Sequence, residues 1–346
     1  MKNDNIKEQL NCGNIYFDEK STAKIDNVIQ SQFKNLNGLV VVHKDNIVFE
    51  RYYNGYTADD SFHVASVTKS IISALTGIAV DKKLINSIDE KVVSFFPQYD
   101  FPYDSKEYSV RNKVTIRNLL TMTAPYSFED FKEPLDKLTM SKDWVKYSLD
   151  SMGTNGKIGH FKYSTCGAHI LSAILTIATH KSAREFANEY LFAPLEMNTI
   201  PYNKIDEFNF DTLFGKKLKG WAYDHNGNST GGWGLTLTTR DMARFGQLYL
   251  HDGVWNNKRI LSKSWIDQSL TMHEGNYDLL NMKYGYMCWL ENDDNMFAYA
   301  AIGDGGNIIY VVPQKELVVA ISSALVPEVI DRRQFIHEYI LPAINI

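Results

Sequence analysis

The spacing of apolar positions changes along the chain, and the first regular pattern is helical. Ile25, Val28, Ile29 and Phe33 recur at intervals of three and four residues between polar positions. Apolar residues at this spacing lie on one side of an α-helix. The pattern therefore predicts a surface helix over about 21–36.

The next stretch changes from helical spacing to strand composition. GLVVVHKDNIVFERYYNGY has two runs rich in β-branched and aromatic residues around the turn Lys44-Asp45-Asn46, which predicts a β-hairpin. The hairpin leads into SFHVASVTKS and then the apolar run IISALTGIAV. We expect a strand there, followed by a helix that is apolar on most of its surface.

The middle of the chain is mainly helical and the last quarter is rich in strands. A short helix is expected from Val114 to before Pro125, and further helices at about 142–152, 165–178, 182–191 and 239–251. Three strand-like runs follow, FAYAAIG, NIIYVVP and LVVAISS, with a turn at 313–315 between the last two. A final helix is predicted over about 326–339.

This order of elements predicts an α+β fold, an α/β sandwich. Strands at both ends of the chain would form one antiparallel sheet flanked by helices, because tight turns rather than crossover helices join neighbouring strands. A mostly helical domain would be inserted between them. We expect residues 1–85 and 275–346 to form the sheet domain, residues 86–274 the helical domain, and the active site to lie in the cleft between.

Composition and charge narrow the function classes. The chain has 346 residues, 44% hydrophobic and 22% charged, with a formal net charge of −5. This charge argues against nucleic acid or an anionic membrane as the main partner. The N-terminus shows no apolar signal-peptide core, and no apolar run is long enough to span a bilayer. We expect a cytoplasmic protein; the sequence does not indicate its oligomeric state.

Cysteines and histidines suggest neither a disulfide framework nor a metal site. Cys12, Cys166 and Cys288 are far apart and odd in number. The nine histidines include no H-E-x-x-H pair, and His63 and His169 are interpreted as structural. We expect no metal and no organic cofactor.

Ser66 and Lys69 are the first candidates for chemistry. Serine is a favoured helix N-cap, so Ser66 could simply begin a helix. Residues three apart also share a helix face, and a buried lysine with a lowered pKa could take the serine proton. The same Ser-x-x-Lys spacing occurs at Ser21 and Ser31, but only Ser66 follows a predicted strand and opens an apolar helix.

Two other stretches bear on this choice. Gly227-Asn228-Ser229-Thr230-Gly231 fits the G-x-S-x-G nucleophile elbow, but that motif needs a strand before it and a helix after it. Its flanks here are turn-like, so we interpret it as a glycine-rich loop. Tyr163, in HFKYSTCGAHILSAILTIA, sits just before a predicted buried helix. A tyrosine at this position is commonly a packing residue, and it could act as a base only beside a positive charge such as Lys69.

The order of these motifs resembles the serine hydrolases of the class C β-lactamase, D-amino-acid peptidase and esterase family. Ser-x-x-Lys comes early, Tyr-Ser-Thr about a hundred residues later, and IGDGGNIIYVVP near the C-terminus. VTIRNLLTMT, LFAPLEM, GGWGLTLTTRDMARFGQLYL, GVWNNKRIL and YGYMCWL are similar to secondary signatures of the family in the same order. The resemblance covers about residues 39–323.

The resemblance implies an acyl-enzyme mechanism. Ser66 would be the nucleophile, and Lys69 and Tyr163 would share the general-base and proton-relay roles. The backbone N–H groups of Ser66 and Asn307 would form the oxyanion hole, a donor pair that can contribute several kcal/mol to transition-state stabilisation.

Two positions depart from the family pattern. The tyrosine motif usually ends in asparagine, but Thr165 stands there and lacks the paired donors and acceptor of an amide. The C-terminal motif normally has lysine or histidine, a small residue and glycine, and the corresponding stretch here is Asp304-Gly305-Gly306. Asp304 could be a simple turn residue; an ionised Asp304 would repel a substrate carboxylate.

These observations predict a serine hydrolase that cleaves a small ester, amide or peptide. A D-amino-acid peptidase or weak β-lactamase is the alternative within the class, and a binding or regulatory module without turnover is the alternative outside it. Specificity would lie in loops at 126–134 and 204–234. Tyr126, Trp233 and Tyr286 could line the cleft or could simply pack.

Overall fold

A computed structural model of the chain describes residues 16–128, 132–154, 156–203, 218–273, 281–293, 296–326 and 330–344. The strands are β1 Leu36–His43, β2 Asn46–Tyr52, β3 Ser61–His63, β4 Tyr202–Asn203, β5 Trp221–Ala222, β6 Thr236–Thr238, β7 Val254–Trp255, β8 Lys258–Arg259, β9 Lys283–Tyr284, β10 Trp289–Asp293, β11 Met296–Gly303, β12 Asn307–Val312 and β13 Leu317–Ser323.

The helices are α1 Glu19–Gln32, α2 Val67–Asp81, α3 Lys106–Arg111, α4 Ile116–Leu120, α5 Leu135–Met140, α6 Trp144–Ser151, α7 Thr165–Thr179, α8 Ala183–Ala187, α9 Thr239–Leu250, α10 Lys263–Ser269, α11 Arg332–Phe335 and α12 Leu341–Ile344. A π-helical turn at Asn188–Phe192 continues α8, and another at Ile336–Ile340 joins α11 to α12.

The predicted α+β class and its antiparallel sheet are confirmed. Seven strands lie in the order β2-β1-β13-β12-β11-β10-β9, and every neighbouring pair is antiparallel. Strand β1 pairs with β13, with Leu39 opposite Ile321, so an early and a late segment of the chain are neighbours inside the sheet. Lys44 and Asp45 have positive φ values of 48° and 63°, the conformation that tight two-residue hairpin turns require.

Helices cover both faces of this sheet. Gly246 of α9 lies against Ile309 and Val318. Tyr310 of β12 donates a hydrogen bond to Glu291 and contacts His337 of the C-terminal helix, which comprises α11, the π-helical turn and α12. Successive residues of a strand point to opposite faces, so α9 and the C-terminal helix lie on opposite sides. Helix α2 packs on β11 and β12, and its apolar composition follows from its nearly complete burial.

The C-terminal helix begins later than the sequence predicts. It starts at Arg332 rather than near residue 326, because the Asp331 side chain accepts from the Arg333 N–H and caps the helix there. Residues 327–329 lie outside the described part. The sequence pattern did not predict strands β9 and β10. Parts of both strands lie in the segment YGYMCWL, which was identified only as a family signature.

The predicted division into two domains stays a prediction. One element of the predicted helical part, α9, packs against β1, β12 and β13 of the sheet. None of the helices in the described part of the chain combines the length and apolar composition that crossing a membrane requires.

Candidate active site

Ser66 lies directly before α2, at the end of a short connection from β3. Strand β3 pairs with β6, and the Val64 N–H donates to the Leu235 carbonyl, so this connection is fixed from both sides. Ala65 has a positive φ of 48°, an uncommon conformation for alanine. Ser66 occupies the N-cap position, yet its side chain makes no capping hydrogen bond. Its hydroxyl is therefore not used in the way the helix-cap interpretation requires.

Lys69 holds its amine beside the Ser66 hydroxyl. Lys69 Nζ donates to Ser66 Oγ at 3.1 Å and to the Gly232 carbonyl at 2.9 Å. The residue is only 1% exposed. A buried lysine needs a partner or a function, and both of these contacts are supplied by the candidate site.

Burial changes the protonation of Lys69. Removal from water lowers the pKa of this amine to about 8, and the nearby Glu133 and Asp304 carboxylates oppose a larger fall. A substantial share of Lys69 is therefore neutral near pH 8 and able to accept a proton.

Tyr163 completes the cluster from the segment before α7. Its ring centroid lies 4.8 Å from Lys69 Nζ, and the ring stacks on Trp289 at 5.8 Å between centroids. Burial raises the pKa of the phenol above its ordinary value, although a hydrogen bond with the Ser66 side chain lowers it in part. At neutral pH Tyr163 is thus a neutral phenol next to both Ser66 and Lys69.

Thr165 lies at the first turn of α7, where Glu133 caps the helix. Glu133 Oε2 accepts from the Thr165 N–H at 2.5 Å, and Oε1 accepts from the Cys166 N–H at 2.7 Å. Unpaired N–H groups at a helix start attract anions, and here a carboxylate of the chain itself occupies them. Thr165 is buried; its predicted contact with substrate stays a prediction.

The C-terminal motif forms a turn between β11 and β12. Asp304, Gly305 and Gly306 make this turn, with Asp304 exposed and both glycines buried. Asn307 begins β12, fully buried; its Nδ2 donates to the Asp304 carbonyl at 2.7 Å and its Oδ1 accepts from the Ser323 N–H at 3.0 Å.

Gly303, at the end of β11, lies close to Ser66. A Cβ at Gly303 would lie 2.3 Å from the Val64 carbonyl oxygen and 3.0 Å from the Ser66 nitrogen. Only glycine fits at such a distance without displacing backbone.

The glycine-rich stretch 227–234 contacts Lys69 through the Gly232 carbonyl and is not a nucleophile elbow. Ser229 is buried, its Oγ accepts from the Arg184 N–H at 3.0 Å, and no helix follows it directly. Burial lowers the pKa of His63 to about 3. Its neutral ring accepts from the Gly234 N–H at 2.9 Å, which supports the structural interpretation of this histidine.

The three aromatic candidates for the cleft are packed side chains in this structure. Tyr126, Trp233 and Tyr286 are 2%, 5% and 1% exposed. Trp233 contacts Trp144, and the Tyr286 hydroxyl accepts from Arg117 at 2.7 Å. This burial favours packing, and substrate contact by these residues stays a prediction. Of the predicted specificity loops, residues 129–131 and 204–217 lie outside the described part.

Sequence reasoning missed three residues that complete the site: Glu133, Gly232 and Gly303. The GGWG stretch offered a signal for Gly232, but the Lys69 contact is made by a backbone carbonyl, which leaves no mark in side-chain identity. Cys166 and Cys288 are buried free thiols, and Cys12 lies outside the described residues. Within the described ranges, no group of three His, Cys, Asp or Glu side chains could hold a metal ion.

Comparisons with known proteins place this arrangement in a family. A curated relative from Paenarthrobacter ureafaciens, named 6-aminohexanoate-dimer hydrolase, is 23% identical over 248 residues. That match covers 68% of this chain but 57% of the relative, so the chain spans little more than half of that protein's length.

Solved structures share the fold at low sequence identity. EstCE1, a hydrolase with promiscuous acyltransferase activity, matches with a TM-score of 0.70 at 16% identity, over 94% of this chain and 98% of that one. The class C beta lactamase from Rhodobacter sphaeroides matches with a TM-score of 0.60 at 16% identity, over 90% and 95% of the two chains. The sequence model of the Beta-lactamase family matches residues 26–339. The chain therefore belongs to the Beta-lactamase family.

Proposed function

We propose that this protein is a serine hydrolase that cleaves a small ester or amide through an acyl-enzyme on Ser66. The observation that carries the proposal is the 3.1 Å contact between Ser66 Oγ and the buried Lys69 Nζ. A nucleophile beside a base of lowered pKa is the arrangement that acyl transfer needs. The curated relative and the structural neighbour that are named hydrolases support the same reaction class.

In the first step, Ser66 Oγ attacks the substrate carbonyl carbon and neutral Lys69 accepts the hydroxyl proton. The bond to the alcohol or amine then breaks, and the leaving group takes a proton from Lys69, relayed by the neutral Tyr163 phenol. Water subsequently attacks the acyl carbon and gives a proton to the same pair. The bond between the acyl carbon and Ser66 Oγ then breaks, Oγ takes that proton, and the acid is released. The Ser66 hydroxyl is thereby restored.

The oxyanion of the tetrahedral intermediate would be stabilised by backbone N–H groups. Ser66 supplies one donor in this proposal and Asn307 the other. The close approach of Gly303 to the Ser66 nitrogen makes the N–H of the next residue, Asp304, a second candidate for the same role.

Charge around the site supports a neutral or cationic substrate. Asp304 and Glu133 both act electrostatically on Lys69, and Asp304 stands where the family pattern has a basic residue. A substrate carboxylate would therefore meet repulsion near the nucleophile. We expect Asp304→Asn to hydrolyse anionic esters better relative to neutral esters. Comparable ratios for wild type and the variant would contradict this assignment.

The deciding experiment is hydrolysis of short-chain nitrophenyl esters by wild type and by Ser66→Ala, with folding checked by circular dichroism. We expect turnover by wild type only, and a mass increase of one acyl group on the Ser66 peptide after rapid quenching. Equal rates in both proteins would refute the proposal.

Two other functions are outcomes of the same test. A long-lived penicilloyl adduct on Ser66, with little ester turnover, would indicate a penicillin-interactive peptidase or weak β-lactamase. Inertness towards activated esters and β-lactams, without acylation of Ser66, would indicate a binding or regulatory module.

A further inference from the structure

The position of the Lys69 amine depends on a segment distant from it in sequence. Besides Ser66, its partner is the carbonyl of Gly232 at 2.9 Å. Gly232 follows the turn at 224–231, so whatever fixes this turn also fixes the acceptor that holds Lys69.

The turn is fixed against one face of α7. His169 Nε2 lies 3.0 Å from Asp224 Oδ2, and Ser172 Oγ donates to the Ser229 carbonyl at 2.6 Å. A Cβ at Gly231 would lie 2.0 Å from the Ala168 carbonyl oxygen, so the two backbones touch. Residues three or four apart share a helix face, and α7 begins two residues after Tyr163.

The Asp224 carboxylate both shapes the turn and joins it to the helix. Its Oδ1 accepts from the N–H groups of Asn226 and Asn228 at 2.9 and 2.8 Å, and its Oδ2 accepts from Asn228 Nδ2 at 3.0 Å. The side chains of His169 and Asp224 are 2% and 0% exposed. Burial alone would raise the pKa of Asp224, but hydrogen bonds from His169 and Asn228 hold it below its ordinary value.

We propose that His169 and Asp224 are positioning residues, whose buried contact holds the segment 224–232 against α7 so that the Gly232 carbonyl keeps Lys69 Nζ beside Ser66. This inference rests on the proposed function, because it assigns the pair a role in the reaction of Ser66. A purely structural pair would contribute to stability without affecting Lys69.

The test compares His169→Phe, which keeps a ring but removes its nitrogens, with His169→Gln, which keeps a side-chain donor. Ser322→Ala is the matched control, because its hydroxyl makes a buried 2.7 Å hydrogen bond with Thr239 in the sheet layer. The measurements are kcat and KM for a nitrophenyl ester across pH, and the urea midpoint of each variant.

We expect His169→Phe to lower kcat by about 10- to 100-fold, with a smaller effect on KM, because Lys69 is no longer aligned with Ser66. The acid side of its pH profile should move to lower pH, because the ammonium loses a carbonyl acceptor. The charged and titratable groups facing Lys69, namely Tyr163, Cys166, Glu133 and Asp304, are unchanged by the substitution.

His169→Gln should recover most of the activity, and Ser322→Ala should lose stability without a change in kcat or pH profile. If His169→Phe is destabilised but keeps the wild-type kcat and pH profile, the inference is overturned. Should His169→Phe fail to fold, His169→Ala provides the test. It removes the same contact with Asp224 without adding bulk, and a wild-type kcat and pH profile there would equally overturn the inference.

Ser66→Ala separates this inference from the proposed function. If Ser66→Ala hydrolyses the ester at the wild-type rate, the proposed function fails. If Ser66→Ala is inactive while His169→Phe behaves as wild type, only the positioning role fails.

Discussion

Burying a charged lysine side chain costs free energy. Lys69 is buried next to Ser66, so its charged form is disfavoured there. Its pKa, lowered by burial to about 8, sets the pH at which it can act as a base. Tyr163, whose phenol stays neutral, cannot replace it at neutral pH.

We therefore expect kcat/KM for a nitrophenyl ester to fall as pH is lowered through about 8, because protonated Lys69 cannot accept the Ser66 proton. Stopped assays across pH, with Ser66→Ala as the blank for spontaneous hydrolysis, measure this profile. A rate that stays constant between about pH 5 and pH 9 would exclude Lys69 as the titrating base.

The same lowered pKa makes a prediction about stability. Between pH 8 and 10.5 the unfolded chain keeps the Lys69 proton while the folded protein has lost it. Stability from this group therefore rises with pH across that window. We expect Lys69→Met to have a larger free energy of unfolding than wild type near pH 7. At about pH 9.5 the difference between the two proteins should be smaller. Urea titrations at both pH values measure the difference, and an advantage that grows with pH would contradict the assignment.

Gly303 is a residue-scale constraint on Ser66, the proposed nucleophile. We expect Gly303→Ala to lower kcat by about 100-fold or more, because the added methyl group would collide with the backbone at Val64 and Ser66. Gly167→Ala is the control, since a Cβ there has its nearest neighbours at 3.6 Å. If both variants keep wild-type activity, the contact at Gly303 does not position Ser66.

At the scale of elements, long and strongly patterned segments were predictable and irregular ones were not. Helices α2 and α7 were predicted because each is a long apolar run with polar residues at its start. Strand β10 was missed because its short sequence is continuous with a turn and lacks clear alternation. Helix α11 starts where the Asp331 side chain accepts a hydrogen bond from the Arg333 N–H. The spacing of apolar residues does not predict the position of such a capping hydrogen bond.

In the candidate site, too, some residues were predictable from the sequence and others were not. Lys69 lies beside both Ser66 and the Tyr163 ring. All three could be singled out because each stands at or near the start of a helix whose pattern is visible in the sequence, and their catalytic roles stay predictions. Glu133 could not be predicted, because it reaches the start of α7 from a different loop. Only the folded chain brings its carboxylate to the Thr165 and Cys166 N–H groups.

The Glu133 carboxylate caps α7 and also raises the pKa of Lys69. We expect Glu133→Gln to shift the acid side of the pH profile to lower pH by up to about one unit, because the carboxylate raises the pKa of Lys69. Glu185→Gln is the matched control, since Glu185 caps α8 through Ser182. An equal shift in both variants would show that loss of capping, and not charge near Lys69, moves the profile.

At the scale of the whole molecule, segments next to α1 and α11 form hydrogen bonds around the turn that follows Gly303. Asn35, just after α1, donates from Nδ2 to the Gly305 carbonyl at 2.7 Å and to the Ala324 carbonyl at 2.8 Å. Its Oδ1 accepts from Arg332 of the C-terminal helix at 2.7 Å. One side chain therefore joins three segments far apart in sequence.

We expect Asn35→Ala to lower the free energy of unfolding by roughly 2 kcal/mol, because it removes three partly buried side-chain hydrogen bonds. Asn46→Ala removes an exposed side-chain hydrogen bond to the Lys44 carbonyl and should have a much smaller effect. Urea midpoints compare the two, and equal losses would mean that the Asn35 contacts do not carry this stability.

The pairing of β1 with β13 also has a consequence for synthesis on the ribosome. Leu36 lies opposite Ser323, so the centre of the sheet closes only after residues 317–323 have been made. The helices of the middle segment emerge before that closure, whereas β1 must wait with its edge unpaired. Gly303 likewise reaches Ser66 late. A nascent chain of this protein should therefore stay inactive, and dependent on protection of its exposed apolar strand, until translation has passed the last strand.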